Sequence, residues 1–300
     1  MDTLEAMSVF VRVVERGSFS AVARELGTTQ PTISKQISAL EQRLGGRLIA
    51  RSTRQLSLTD EGQRYYQQCR DILAAIDNAE HSFQTGREAV AGPLRVASSV
   101  SFGRLQLAPR LRGFLQVHPQ VSVDLQLSDQ NVDLLSEGVD VAIRIGELKD
   151  SNLIARQIGL TRRLTVASPA YLAQHPGPQT PEELAQHNCL LFTLLKQFDT
   201  WSFDDGRYSV QVRGNVHSNN SEAIREMVLS GLGISLSPSW LYREDIDAGQ
   251  VVQILPNYTP SSLPIYAVFP ANRRQSARVR AFVDFLAEAF AQDPDLRSNS

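Results

Sequence analysis

A chain of 300 residues, 42% apolar and 21% charged, has room for two domains or one large one. Its net charge of −2 gives no overall attraction to nucleic acid, so any such affinity must be local. The start, Met-Asp-Thr-Leu-Glu, lacks the basic-then-apolar layout of a signal peptide and no apolar run is long enough to span a bilayer, so a cytoplasmic protein without membrane contact is expected.

Leu4, Met7, Phe10, Val11 and Val14 mark a first helix that ends at Gly17. Ala21, Val22, Ala23 and Leu26 mark a short second one, with Ser20 placed to cap it and Gly27 to stop it. In a third, Ile33, Ile37, Leu40 and Leu44 fall on one narrow stripe, opposite Pro31, Ser34, Lys35, Ser38 and Gln42. Outward hydroxyls, amides and a cation suit base edges and phosphates in a DNA major groove, which admits a helix. Two short helices about a glycine-containing turn have the layout of a helix-turn-helix. Gly45 and Gly46 close the third helix, and Arg47–Ala50 with Gln55–Leu58 can pair as a wing around the tip Arg51-Ser52-Thr53-Arg54. From Pro31 to Leu58 the cations Lys35, Arg43, Arg47, Arg51 and Arg54 face a single acid, Glu41. A solvated helical face would explain Lys35 alone, but not the helix polarity, turn and arginine wing in series.

Thr59, followed by Asp60 and Glu61, opens a longer helix running to about Gly86, roughly 40 Å at 1.5 Å per residue. Along it Tyr65, Cys69, Ile72, Ile76, Ala79 and Phe83 recur at alternating intervals of four and three, a heptad seam. Packing on its own domain is one reading. Dimerisation is the expected one, because a two-fold protein reads both halves of a palindrome. Cys69 on the seam is expected to be core and not a redox sensor.

Glu88–Pro93 is a hinge by composition. Beyond it, strands are expected at Leu94–Ser98, Val121–Leu127 and Asp140–Ile145, with a helix over Phe102–Val117 that Pro109 is expected to kink or break and a short helix over Val132–Ser136. This rhythm implies a largely parallel sheet covered by helices. A second set follows: strands Arg163–Ala167 and Cys189–Phe192, a capped helix start at Thr180–Glu183, and a hairpin of Trp201–Phe203 with Arg207–Val212. Asn215–Ser218 leads into a helix from Ser221 to Ser230, and strands Ile234–Ser237, Val251–Leu255 and Ile265–Phe269 precede an amphipathic helix over Ser276–Phe290. Residues 293–300 look like a frayed tail.

The run from Phe19-Ser20-Ala21-Val22-Ala23 through Leu26, Gln30-Pro31-Thr32-Ile33-Ser34, Ile37, Leu40-Glu41, Leu44-Gly45, Leu48, Arg51, Leu58-Thr59 and Gly62 resembles the N-terminal signature of LysR-type transcriptional regulators. Thr29 and Ile49 depart from the commonest residues but keep a hydroxyl and an apolar group. SFGRLQLAPRLRGF, LSDQNVDLLSEGVDVAIRIGELKDSNLIARQIG, ASPAYLA and SGLGIS resemble the effector domain of the same family, so the likeness covers nearly the whole chain. It implies an α/β protein with a winged helix-turn-helix domain (1–58), a linker helix for dimerisation (59–87), a hinge (88–93) and an effector-binding domain (94–292). That domain would comprise subdomains 94–164 with 266–292 and 165–265, similar to periplasmic binding proteins, with the inducer between them. The residues expected to face DNA are Ser20, Thr29, Gln30, Pro31, Thr32, Ser34 and Lys35, with Arg51, Thr53 and Arg54 from the wing.

In open α/β folds, ligands bind beyond the carboxyl ends of strands. Ser98-Ser99-Val100-Ser101-Phe102 and Asn219-Asn220 follow such ends and precede helix starts, where hydroxyls and amides beside free N–H groups suit an anion. Good helix caps alone would look the same. The family likeness adds Ser128 and Thr193, and Leu232 with Phe102 could form an apolar wall. An enzyme is not expected: no G-x-S-x-G surrounds Ser98-Ser99, and Gly231-Leu232-Gly233 precedes a strand where a dinucleotide fingerprint follows one. Histidines 81, 118, 175, 187 and 217 are scattered and Cys69 and Cys189 lack CxxC spacing, so neither metal, disulfide nor cofactor is expected. A purely architectural DNA binder would leave about 200 residues of cleft-forming domain without a role. The expectation is a dimer or tetramer on an interrupted inverted repeat, a small organic anion as effector, and RNA polymerase as the protein partner.

Overall fold

A computed structural model describes residues 2–50, 56–85, 90–130, 134, 137–148, 153–273 and 276–298; for Asp71, Ala74, residues 77–85 and Asn272 only the backbone is described. The chain divides into two compact units, the first essentially residues 1–93 and the second most of the remainder. No helix among the described residues is long and apolar enough to cross a membrane.

In the first unit, helices Thr3–Arg16, Phe19–Glu25 and Gln30–Leu44 pack around Val9, Phe10, Val13, Val22, Ile33, Ile37 and Leu40. Each such buried side chain contributes about 1.5–3 kcal/mol relative to exposure. Leu44, expected on the same stripe, is instead exposed. Gly17 adopts φ 62° and ends the first helix, which leaves Ser18 extended at the start of the second. The cap is therefore Ser18, whose Oγ accepts from Ala21 N–H at 3.2 Å, and not Ser20, which lies within the helix. Strands Ile49–Ala50 and Ser57–Leu58 pair antiparallel, while the tip 51–55 lies outside the described residues. Glu41 holds this ribbon to the third helix, accepting from Leu48 N–H at 2.8 Å and Ile49 N–H at 3.1 Å. Helix Asp60–Thr85 follows.

The second unit is built on a five-stranded sheet in the order Val121–Leu127, Gly92–Ser98, Val141–Ile145, Leu263–Phe269, Ile154–Thr161. Gly92–Ser98 and Val141–Ile145 are parallel, but Leu263–Phe269 runs antiparallel to both its neighbours. The sheet is thus mixed and not largely parallel, because the chain returns to it from the other half through Leu263–Phe269. Strand Ile154–Thr161 had no alternating signature, since Arg156, Gln157 and Gly159 interrupt it. Of the helix expected at 132–136, only Leu134 is described, and it is buried.

The segment from Val100 to Val117 is helical throughout but widens to a π turn over Gly103–Leu107, where Ala108 N–H donates to Gly103 O. Pro109 has no N–H for the next helical bond, so the sequence distortion appears here. The Arg110 guanidinium reaches back to Gln106 O at 2.7 Å. A second, antiparallel sheet places Arg163–Ala167 between Ser235–Pro238 and Val252–Ile254. Beside it lie the parallel pair Leu191–Phe192 with His217–Ser218 and the hairpin Thr200–Phe203 with Tyr208–Gln211. The helix start at Thr180 becomes a short 3-10 turn, Pro181–Gln186.

Residues 293–298 are not frayed. Leu296 is fully buried and its carbonyl accepts from Leu160 N–H at 2.8 Å, passing so close to Gly159 that a β-carbon there would stand 2.7 Å away. Asp293 accepts from Arg110 at 2.7 Å and Arg243 at 3.1 Å, and Asp295 pairs with Arg243 and Ser239. Burial works against the charge of Asp293, but Asp295 N–H, Arg243 and Arg110 outweigh it and hold its carboxyl below the ordinary range. A depressed pKa stabilises the fold above the unfolded value, about 3.9, and this contribution is lost as pH falls through the folded value. Asp293→Asn should therefore lower the melting temperature at pH 7, with the gap to wild type closing toward pH 3. A gap independent of pH would show that the carboxylate charge is not what anchors the tail.

Candidate functional site: a helix-turn-helix surface and a polar seam in the α/β unit

On the first unit, Thr29 caps the Gln30–Leu44 helix, its Oγ1 accepting from Thr32 N–H at 3.4 Å and lying 2.8 Å from Thr32 Oγ1. Ser20, Thr29, Gln30, Pro31, Thr32 and Lys35 are exposed, and Ser34 is half-buried, 3.3 Å from Gln30 Nε2. Because Ile33, Ile37 and Leu40 are buried beneath them, the groups of residues 29–35 form one outward polar face at the start of the Gln30–Leu44 helix, and Ser20 lies on the helix before it. Arg51, Thr53 and Arg54 lie outside the described residues. The face offers hydroxyl, amide and ammonium groups to a groove, the chemistry of base-edge and phosphate contact.

The seam of the long helix separates into two parts. Tyr65 and Cys69 pack into the core of the first unit: Cys69 is fully buried and the Tyr65 ring lies 5.9 Å from that of Phe10. Burial pushes the Cys69 thiol up to about 11 and that of Cys189 to about 12, so both are neutral core groups near pH 7. Ile72 is 40% exposed and Ile76 partly exposed, whereas the side chains of Ala79 and Phe83 lie outside the described residues.

In the second unit the two strand ends singled out by the sequence do meet. Ser101 Oγ is 2.7 Å from Ser221 Oγ, and Arg104 pairs with Glu222 at 3.0 Å. Ser218 accepts from Asn220 N–H at 3.1 Å, and Asn220 Oδ1 caps the Ser221–Leu229 helix through Ala223 N–H at 2.9 Å. Ser128 N–H donates to Ser98 O and Thr193 N–H to Ser218 O, so both loops are tied to these strand ends. Ser98 is buried and its hydroxyl has no hydrogen-bond partner among the described residues, Ser99 is half-buried, and Asn219 is exposed. Leu232 is 37% exposed, but Phe102 is fully buried, its ring 5.4 Å from Trp240 and 5.8 Å from Phe290. Phe102 is therefore core, and its side chain forms no wall for a ligand.

One residue absent from the sequence reading joins the two sides. Asp129 accepts from Val100 N–H at 3.0 Å and from Asn220 Nδ2 at 2.8 Å. The sequence carries only a weak signal for it, a carboxylate directly after Ser128.

Two family models match the chain: the bacterial regulatory helix-turn-helix protein, lysR family, over residues 4–63, and the LysR substrate binding domain over residues 87–291. The chain is 37% identical to the HTH-type transcriptional regulator CrgA of Neisseria meningitidis serogroup C, over 95% of this chain and 96% of that one. It is 36% identical to the regulator DmlR of Escherichia coli, over 96% and 95%. Among solved structures, CrgA of Neisseria meningitidis matches with a TM-score of 0.60 at 36% identity, covering 96% and 99% of the two chains. The virulence activator AphB of Vibrio cholerae matches at 0.56 and 31% identity, again covering 96% and 99%. Helix-turn-helix, linker helix, α/β domain and full-length similarity agree. The chain belongs to the LysR-type transcriptional regulators, DNA-binding proteins with an effector-binding domain, and not enzymes.

Proposed function

We propose that two or four copies of this chain bind an interrupted inverted repeat, and that a small organic anion held in the effector domain sets the transcriptional outcome. Residues 1–58 read DNA, 59–87 dimerise, and 88–93 act as hinge to subdomains 94–164 with 266–292 and 165–265. Ser98–Ser101, Ser128, Thr193, Asn219, Asn220 and Leu232 outline the effector position, with Phe102 contributing backbone alone. The protein acts in the cytoplasm, on DNA that RNA polymerase also occupies. An effector can change that occupancy only by binding one arrangement of the domain more tightly than another.

The observation that carries the DNA reading is the exposed polar face at residues 29–35, set on a buried apolar stripe. Sequencing DNA fragments that co-purify with the protein should return sites with dyad symmetry; a set without it overturns the reading. At such a site the double change Lys35→Ala, Arg54→Ala should weaken binding and reduce the salt slope by about one unit per lost phosphate contact. Unchanged affinity and slope would rule out this docking. For the effector, calorimetry of small carboxylates against the full chain should yield a binder that alters affinity for the operator. A binder without effect on the operator complex would count against the regulatory role of the site.

A further inference from the structure

The anion position outlined by the two strand ends already holds a carboxylate, and it belongs to the protein. Asp129 Oδ1 takes the Val100 N–H at 3.0 Å, and Oδ2 takes Asn220 Nδ2 at 2.8 Å. Val100 and Asp129 belong to the side built on the five-stranded sheet, and Asn220 leads the helix on the other side, so this one carboxylate bridges them. Asn220 has no freedom to turn away, because its Oδ1 is committed to Ala223 N–H at 2.9 Å. The Ser99 side chain makes no cap bond, so without Asp129 the Val100 N–H would lack its partner. The Ser101–Ser221 and Arg104–Glu222 contacts lie in the same seam and close in register with it.

We propose that Asp129 is a built-in stand-in for the effector: it latches the two sides of the α/β domain together, and an anionic effector binds by displacing its carboxylate. This rests on the reading of the effector as a small organic anion. The donors that hold Asp129 are neutral, an amide N–H and a carboxamide, and they serve any carboxylate equally well. Exchange of one carboxylate for another at these donors is nearly balanced. Discrimination among ligands then falls to the rest of the ligand body, and a ligand that brings a carboxylate replaces the bonds of Asp129 like for like. A latch of this kind reduces the intrinsic affinity to the fraction of time it is open, which raises the effector concentration needed for response.

The test is hydrogen exchange on the full chain, read in the segments 99–104 and 219–224, for wild type, Asp129→Ala and Asp129→Asn. Asp129→Ala should exchange about tenfold faster in both segments, the factor corresponding to one lost hydrogen bond. Asp129→Asn keeps the shape and one acceptor oxygen and should fall between, which keeps the test open should the alanine variant fold poorly. Acetate, at ionic strength matched with chloride, should slow Asp129→Ala back toward wild type and leave wild type itself unchanged. Unaltered exchange in either segment of both variants overturns the latch, as does acceleration that neither acetate nor formate reverses. Rescue of Asp129→Ala, with no response of wild type to any small carboxylate, supports the latch and counts against the anionic effector. A carboxylate that saturates wild type while both variants exchange as wild type does the reverse.

Discussion

Gly62→Ala is expected to destabilise the DNA-binding unit severely and to abolish DNA binding, although alanine is the better helix former by about 1 kcal/mol. The helix Asp60–Thr85 starts hard against the chain that enters the wing. Thr59 N–H donates to Leu48 O at 3.0 Å, and the Thr59 hydroxyl donates to Arg47 O at 2.6 Å while accepting from Gly62 N–H at 2.9 Å. These bonds draw the helix in until a β-carbon on Gly62 would lie 1.9 Å from Leu48 O and 2.8 Å from Leu48 C. The obstacle is backbone, so no side chain can rotate to clear it. Leu48 cannot retreat, because its side chain is in the core and its N–H is held by Glu41. The cost should exceed the roughly 1–3 kcal/mol of ordinary overpacking. Thermal unfolding with an operator-binding assay checks this. A variant as stable as wild type would mean that the wing strand does not sit against this helix.

Gly62 also shows where sequence reasoning reached and where it stopped. Its place in a family pattern was legible, but the reason for it, a contact between segments 14 residues apart, needed coordinates. Local chemistry read well: the three short helices, the glycine at each stop and the hairpin over residues 200–211 follow from periodicity and turn residues. The cap of the second helix lies at Ser18, two positions before the expected Ser20, because two serines separated by Phe19 carry the same chemistry and only the φ of Gly17 selects between them. Strand Ile154–Thr161 was hidden because its residues answer to the incoming tail at Leu296 and not to an alternating face. At the effector position the sequence presents serines and asparagines as open donors. The structure commits Ser101 to Ser221 and Asn220 to Asp129, the latter a pairing over 91 residues that spacing cannot reveal. Phe102 misled for a related reason: a large apolar residue beside polar ones suits a ligand wall or a core, and only packing against Trp240 and Phe290 decides.

The double change Ile72→Asp, Ile76→Asp is expected to convert the protein to monomers and weaken operator binding by roughly 10²–10⁴-fold, the gain that linking two binding modules provides. On a helix, residues three and four apart share one face, and alternating the two intervals keeps a stripe nearly straight. Tyr65, Cys69 and Leu73 follow the four-residue interval and pack into the core of the first unit. The heptad stripe continues in the same direction past Cys69, but there the core of the unit no longer covers it: Ile72 is 40% exposed and Ile76 partly so. An isoleucine held in water along a helix roughly 39 Å long is a surface in want of a second helix. Charges placed there face solvent in a monomer at little cost, but in a dimer they would be buried unpaired, which is strongly unfavourable. The consequence is selective. Neither isoleucine belongs to the core of its own unit, so the monomer should unfold at nearly the wild-type temperature, and a single half-site should still be bound weakly. Sedimentation velocity, thermal unfolding and binding to whole and half operators separate these outcomes. An intact dimer after both substitutions would place the interface elsewhere, and loss of folding would place both isoleucines in the core after all.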